Sequence, residues 1–452
     1  MYSVKRPAAV RDMTTGDPVR LILLFAIPLF IGNIFQQFYN MVDTMVVGHH
    51  LGDQAIAAIG ATSSLYSLIV NFAGGLNSGY SIIVTQCFGS HDRQKMKQAI
   101  AGMIELDLII SILLSVLALL CLPWLMVFMN TPEAVFQQSY TYIAIICGGM
   151  TATICYNMFA AILRAMGNSR SPLYFLILSS LLNVVLDLLF VMVLEIGIAG
   201  AAIATVISQC VSAVSCGIYT LHNYRDYLPE KGDFRVPGWM LKNLLATGLA
   251  SAMMSCMVDL GNVIYQRANN LLGERIITAY AAGRKILMIM LQPLATLAFA
   301  SSTFAGQNWG AGKYDRIRTT LKKVLLMEVG WGIFAAGIVY LFGEKLIRLI
   351  IGTSDAEILR NAVMSLRIHF SMLPMLGILF CMRHTMQGMG MKLAPVLSSC
   401  IELAMKLLAA AVLIPRLGFL GTCITEPVSW CLMSAFLLCS YFRKRKLLFS
   451  AG

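Results

Sequence analysis

The segment Phe35-Gln-Gln-Phe-Tyr-Asn-Met-Val-Asp-Thr-Met-Val-Val-Gly48 closes an apolar run that begins near Val19. Within that run Asn33, Gln36 or Gln37, Asn40 and Asp43 recur every three or four residues, a spacing that puts them on one face of an α-helix. Most residues around them are Leu, Ile, Phe, Met or Val. A carboxylate near the middle of a bilayer costs roughly 2.5–3.5 kcal/mol on insertion scales. The face is therefore expected to look at other helices or a water-filled cavity, not at acyl chains. An ionisable group in that position is a functional-site candidate by default.

The rest of the chain fits a membrane setting. Its 452 residues are 58% hydrophobic and 12% charged, about half the share of charge that soluble domains carry, and the mean hydropathy is +0.75. Runs of roughly 18 or more nearly uncharged residues recur along the whole length, each long enough to span a bilayer core of ~30 Å. They are continuously apolar, not alternating, which excludes a β-barrel. The reading is an all-α polytopic membrane protein with twelve transmembrane helices, near 19–44, 55–83, 99–121, 135–162, 172–194, 199–221, 242–270, 277–305, 322–343, 362–386, 394–415 and 421–442. The second and eighth are weak by hydropathy and rich in Gly, Ser, Ala and Asn, residues that allow close helix packing. No cleavable leader is expected, because the first run lacks a short apolar core followed by a small-residue cleavage site. The 12 cysteines are scattered through apolar runs without a C-x-x-C pair and read as small core residues.

The net charge of +12 is a topology signal. With the N-terminus inside, 24 of the 34 Lys and Arg fall in inside segments, among them Lys5, Arg6, Arg93, Arg225, Lys313, Arg383 and Arg443 to Lys446, against five in outside segments. That bias predicts both termini in the cytoplasm and leaves nothing for a nucleic-acid reading to explain.

The chain also repeats itself. Leu51-Gly52-Asp53 recurs as Leu272-Gly273-Glu274, Gln86 and Gly89 as Gln307 and Gly310, and Gly197 and Gly200 as Gly418 and Gly421, all at one offset. Met166-Gly167 and Pro172 recur as Met389-Gly390 and Pro395, two residues further on. Two six-helix bundles related by a parallel internal repeat follow: an N-terminal lobe at 1–222, a cytoplasmic linker at 223–237 and a C-terminal lobe at 238–452. Such halves place a binding site at their interface.

Candidate chemistry concentrates in the first half. Asn183 and Asp187 are four apart in the fifth span, and Thr205 lies in the sixth. With Asp43 they form an oxygen-rich group able to take up a proton or hold a dehydrated Na⁺, the only metal ion the residues suggest. Glu105 and Asp107 read as a solvated start of the third span. Pro28 removes a backbone hydrogen bond inside the first helix and is the candidate hinge. Asp43 and Asp187 align with Ile264 and Leu408, so the second half does not copy the cluster. Its seventh span offers Asp259, Asn262 and Gln266 on one face, and the pair Glu402 and Lys406 has the spacing of a helical ion pair. The expected substrate cavity is lined by Gln36, Gln37, Asn40, Asp259, Asn262, Gln266 and Met288. Met288 is one of 28 methionines, a residue type that suits promiscuous apolar binding. No nucleotide-binding loop, nucleophile elbow or H-E-x-x-H motif occurs, which argues for secondary transport, with no cofactor, over an enzyme or an ATP-driven pump.

Gly16-Asp17-Pro18, Pro28, Val42-Asp43-Thr44 with Gly48 and Leu51-Gly52, Gln86-Cys-Phe-Gly89, Arg164-Ala-Met-Gly-Asn168, Asn183 with Asp187, and Gln307-Asn-Trp-Gly310 keep order and spacing over the whole chain. In these the sequence resembles the multidrug and toxic compound extrusion (MATE) transporters, and within them the DinF-like or MepA-like bacterial branch. The resemblance implies a V-shaped, two-lobed antiporter of the bacterial inner membrane. It would export cationic or amphipathic compounds in exchange for H⁺ or Na⁺ by alternating access, with the ion site at Asp43, Asn183, Asp187 and Thr205. Some members also carry acids in the seventh and tenth spans; here the seventh has Asp259, and the tenth has none between Arg367 and Gln387. The expected partners are an amphipathic small molecule and the lipid bilayer, and the expected state is a monomer. The alternative is a flippase for lipid-linked oligosaccharide or other lipid. Its phosphate head group would need several cations in the cavity, for which Arg267, Arg284 and Lys285 are the candidates.

Overall fold

The computed structural model describes residues 11–129, 131–352 and 355–449; Lys5 and Arg6, counted above among the inside charges, lie outside them. The described residues are helical throughout, joined by turns and short loops, and contain no strand. Among the described residues ten helices are long and apolar enough to cross a membrane, and counting each of two bent pairs as one span brings the number to twelve. In chain order they are α1 (Pro18–Gly52), α2 (Gln54–Gly89), α3 (Arg93–Phe128), the bent α4 (Glu133–Gly148 and Met150–Ala165), α5 (Arg170–Val193) and α6 (Ile198–Asn223). Then follow α7 (Gly238–Asn270), α8 (Glu274–Gly310), α9 (Tyr314–Ile350), the bent α10 (Ala356–Ser371 and Leu373–Gly388), α11 (Leu393–Leu417) and α12 (Phe419–Arg443). Each expected span falls on one of these.

The ends of the helices follow from local chemistry. Asp17 caps α1, its Oδ1 accepting the Arg20 N–H at 2.8 Å, with Pro18 in the first turn where a missing N–H costs nothing. Asp92 caps α3 in the same way at Lys95. Gly52 separates α1 from α2 by adopting φ +76°, a left-handed conformation that only glycine takes freely. Pro28 lies within α1, and the backbone on either side of it stays helical.

The internal repeat has a structural counterpart. Gly52, Gly167 and Gly197 carry positive φ, and so do their repeat partners Gly273, Gly390 and Gly418. The wide π turn that begins at Leu188, directly after Asp187, recurs at Ala409, directly after Leu408. The two halves thus share helix order and the irregularities between helices, while the side chains at the π turns differ.

The chain divides into two compact units: Met1–Asp12 with Ile27–Ala252, and Met13–Ala26 with Met253–Gly452. In the first, Tyr80, Ile100, Ile162, Tyr224 and Leu244 form a closed core. The motif around Asn168 is a cap: its Oδ1 accepts the N–H groups of Arg170 and Ser171 at 3.1 and 3.0 Å, and its Nδ2 donates to the Tyr224 hydroxyl at 2.7 Å. Gly75 and Gly79, four apart on α2, let α2 lie directly on α7. A Cβ on Gly75 would stand 2.6 Å from Ala252 Cα, and one on Gly79 would meet Thr247 and Gly248. Small residues at this spacing allow such backbone approach in a membrane, where packing has to replace the hydrophobic drive. Gly79→Ala is expected to cost about 1–3 kcal/mol, the usual penalty for overpacking. A lowered melting temperature of the detergent-solubilised protein would register it; an unchanged one would mean that the two helices separate at no cost.

In the second unit, the motif Gln307-Asn-Trp-Gly310 holds the chain that leads into α1. Met13 N–H donates to Gln307 Oε1 at 2.8 Å, Asn308 Nδ2 donates to Met13 O at 3.1 Å, and Lys313 Nζ reaches Thr14 O at 2.9 Å.

Candidate functional sites in the two units

In the first unit, α1, α5 and α6 converge on the four residues expected to hold an ion. Asp187 is fully buried and Asn183 nearly so; Asp43 is half-buried. The carboxyl groups of Asp43 and Asp187 lie close enough to interact electrostatically. Carboxylates are acceptors only, so a direct bond between the two would require a proton on one of them. The Asn183 amide, in the orientation that satisfies both its ends, donates to Asp187 Oδ2 at 3.1 Å and accepts the Thr205 backbone N–H at 3.0 Å. Its NH₂ group also meets the Tyr39 hydroxyl. Thr205 Oγ1 donates back to Ala201 O at 3.1 Å. Asp187 Oδ1 has no hydrogen-bond partner among the described residues. The arrangement offers two carboxyl groups, an amide and hydroxyls within one helix-lined pocket. Oxygens of this kind take a proton or a hard monovalent cation equally well.

Sequence reasoning missed the aromatic hydroxyls. Tyr39 stands one turn before Asp43, and Tyr66 and Tyr142 lie within electrostatic range of it. Helical spacing signals Tyr39; nothing local signals the other two, which come from α2 and α4. Gln36, Gln37 and Asn40, expected along the substrate cavity, are exposed. Asp107 corrects the reading of a solvated helix start. It is 3% exposed, and its Oδ2 has no hydrogen-bond partner among the described residues. The reason is that α3 begins at Arg93, about 21 Å of helix below it.

The second unit holds a larger charged network. Arg284 Nη1 contacts both oxygens of Glu426, at 2.7 and 2.8 Å, and His369 Nε2 lies 3.5 Å from Glu426 Oε2. Lys406 Nζ donates to Glu402 Oε1 at 2.9 Å, as their spacing predicts, and to Asn262 Oδ1 at 2.7 Å. Arg383, expected among the inside loop charges, is instead buried in the bundle, with Glu402 Oε2 3.7 Å from its Nη2. Asn262 lines a cavity of about 160 Å³ with Arg284, Arg383, Glu402, Lys406 and Glu426. Of the other expected cavity residues in this half, Asp259 is half-buried outside that lining, Met288 is exposed, and Gln266 is exposed and donates to Asn270 Oδ1 at 2.7 Å. Of the three cations a flippase would use, Arg284 lines the cavity but is ion-paired, while Arg267 and Lys285 are exposed outside it.

A family model, MatE, matches residues 28–189 and 250–412, the greater part of both halves. "Probable multidrug resistance protein YpnP" of Bacillus subtilis is 28% identical over 76% of this chain and 77% of its own length. "Probable multidrug resistance protein NorM" of Thermotoga maritima is 23% identical over 89% of this chain and 88% of its own. The fold matches a solved structure described as "Crystal structure of MATE in the bent conformation" with a TM-score of 0.90, at 22% identity, covering 98% of this chain and 99% of that one. Family match, helix count and fold agree with the resemblance read from the sequence motifs. The chain belongs to the MatE family: it is a multi-pass membrane transporter, not an enzyme.

Proposed function

We propose that the chain exports cationic or amphipathic compounds in exchange for an inward-moving cation, by alternating access between a lobe at 1–222 and a lobe at 238–452 joined through 223–237. The coupling ion is taken up at Asp43, Asn183, Asp187 and Thr205. The setting is the bacterial inner membrane with both termini in the cytoplasm, and the working unit is a monomer. The multidrug-resistance names of the relatives support the export reading.

The observation that carries the coupling is the gathering of Asp43 and the fully buried Asp187 with Asn183 and Thr205 in one pocket. A second charge in a sheltered pocket is tolerated only when a proton or a metal cation sits between the two acids. Of the two ions we favour H⁺, because two neighbouring carboxyls in a buried pocket can share one proton. Antiport then requires that ion and substrate weaken each other's binding, a negative coupling that acts in both directions. Helix α1 connects the two events, since it carries Asp43 and, along the same helix face, the exposed Gln36 and Asn40.

The test is ethidium efflux from vesicles holding the purified chain, under an imposed pH gradient and separately under an imposed Na⁺ gradient. The pH gradient is expected to drive efflux and the Na⁺ gradient, at equal pH, to leave it near the leak. Efflux driven only by Na⁺ would reassign the pair to that ion. Efflux driven by neither would overturn the exporter reading.

A further inference from the structure

The charged cavity of the second unit is not used by the coupling reaction. Its walls carry three cations, Arg284, Arg383 and Lys406, against two carboxylates, Glu402 and Glu426. Glu426 is taken up by Arg284, and Glu402 is shared by Lys406 and Arg383. The walls therefore carry one more positive than negative charge. The loosest carboxylate contact is that of Arg383, which is 6% exposed. Among the described residues its hydrogen-bond acceptors are Ser398 Oγ at 3.0 Å and the weak acceptor Met433 Sδ at 3.3 Å, while Glu402 stands beyond hydrogen-bond distance. A guanidinium carries five N–H donors in a fork that matches a carboxylate or phosphate. A buried cation so poorly matched is costly unless an anion arrives.

We infer that this cavity receives the anionic head group, a carboxylate or phosphate, of an amphipathic substrate. The inference rests on the transport reading and names the chemistry of one end of the transported compound. A volume of about 160 Å³ is close to the ~150 Å³ cavity that takes a benzene ring in an engineered protein, so it fits a benzoate-sized group. Leu287, Leu291, Phe380 and Trp430 supply the apolar walls, and Arg383 and Lys406 supply the donors.

Rhodamine B and its ethyl ester share one apolar body and differ by a free carboxylate. Binding of each to the purified full chain in detergent, read by fluorescence anisotropy, is expected to favour the acid by at least tenfold. Arg383→Gln is expected to erase the preference and Arg383→Lys to keep most of it. The wild-type comparison needs neither variant to fold. Equal affinities, or tighter binding of the ester, would overturn the inference. Phosphatidylglycerol added to the micelles tells the sources apart: displacement of rhodamine B assigns the site to a lipid phosphate, and no displacement assigns it to soluble amphipaths, the oxyanion site standing in both cases. A preference for the acid without any dye efflux from vesicles would sink the export reading alone; efflux without the preference would sink this inference alone.

Discussion

Asp43→Asn is expected to reduce pH-gradient-driven ethidium efflux to the rate of empty vesicles, a fall of at least ~100-fold if the full coupling of about 3 kcal/mol between ion and substrate is lost. The substitution keeps the shape of the side chain and its capacity to hydrogen-bond. It removes the ability to exchange a proton or to hold a charge. Asp187 would keep its contacts with Asn183, so the fold and ethidium binding in detergent should survive. Asp187→Asn is expected to act alike, because neither acid alone forms the pair. Asp43→Glu retains the charge on a longer arm and should leave a measurable residue of transport. The decisive comparison is flux against binding. Lost flux with retained binding identifies Asp43 as a coupling group. Full flux in Asp43→Asn vesicles would remove it from the mechanism, and a loss of binding together with the fold would assign it to structure.

Much of the architecture was legible because a bilayer enforces a simple code. Twelve apolar runs, the inside bias of Lys and Arg, and the repeat of Gly52 at Gly273 and Gly197 at Gly418 all read directly from sequence, and the structure carries each pair of glycines in the same left-handed conformation. The meeting of α1, α5 and α6 at Asp43, Asn183, Asp187 and Thr205 was also foreseeable. Buried acids in lipid have few places to go, and the i,i+4 spacing fixes the face. Tyr66 and Tyr142 were not foreseeable, since they come within electrostatic range of Asp43 from other helices and no spacing within one helix encodes that. Arg383 was misread for a related reason. Near the inner end of a span, a loop charge and a buried ligand of Glu402 have the same local sequence, and only the packing of α10 against α11 decides between them. Asp107 shows the converse, because its depth depends on where α3 begins.

Glu426→Gln is expected to destabilise the second unit by about 3–5 kcal/mol, the cost of leaving a buried cation without its counter-ion. Arg284 meets Glu426 through both carboxylate oxygens, and only about 6% of the Glu426 side chain is exposed. Glutamine preserves the volume and one acceptor, so the loss isolates charge from packing. His369, 3.5 Å away, cannot replace the acid, because any charge it carries has the same sign as that of Arg284. Unfolding of a large membrane protein is read best as a rate. At 1.4 kcal/mol per tenfold, the detergent-solubilised variant should lose its fold roughly 100- to 4,000-fold faster at a fixed temperature, when the ion pair is largely lost in the unfolding transition state of the wild type. Replacing both partners, Arg284→Met with Glu426→Leu, should recover most of the lost stability, because an apolar pair of similar volume pays no desolvation cost. Lys406→Met is the contrasting single change: Glu402 keeps Arg383 nearby, so its loss should be smaller. A Glu426→Gln protein as durable as the wild type would mean that Arg284 finds another acceptor, and the double variant would then show no recovery to measure.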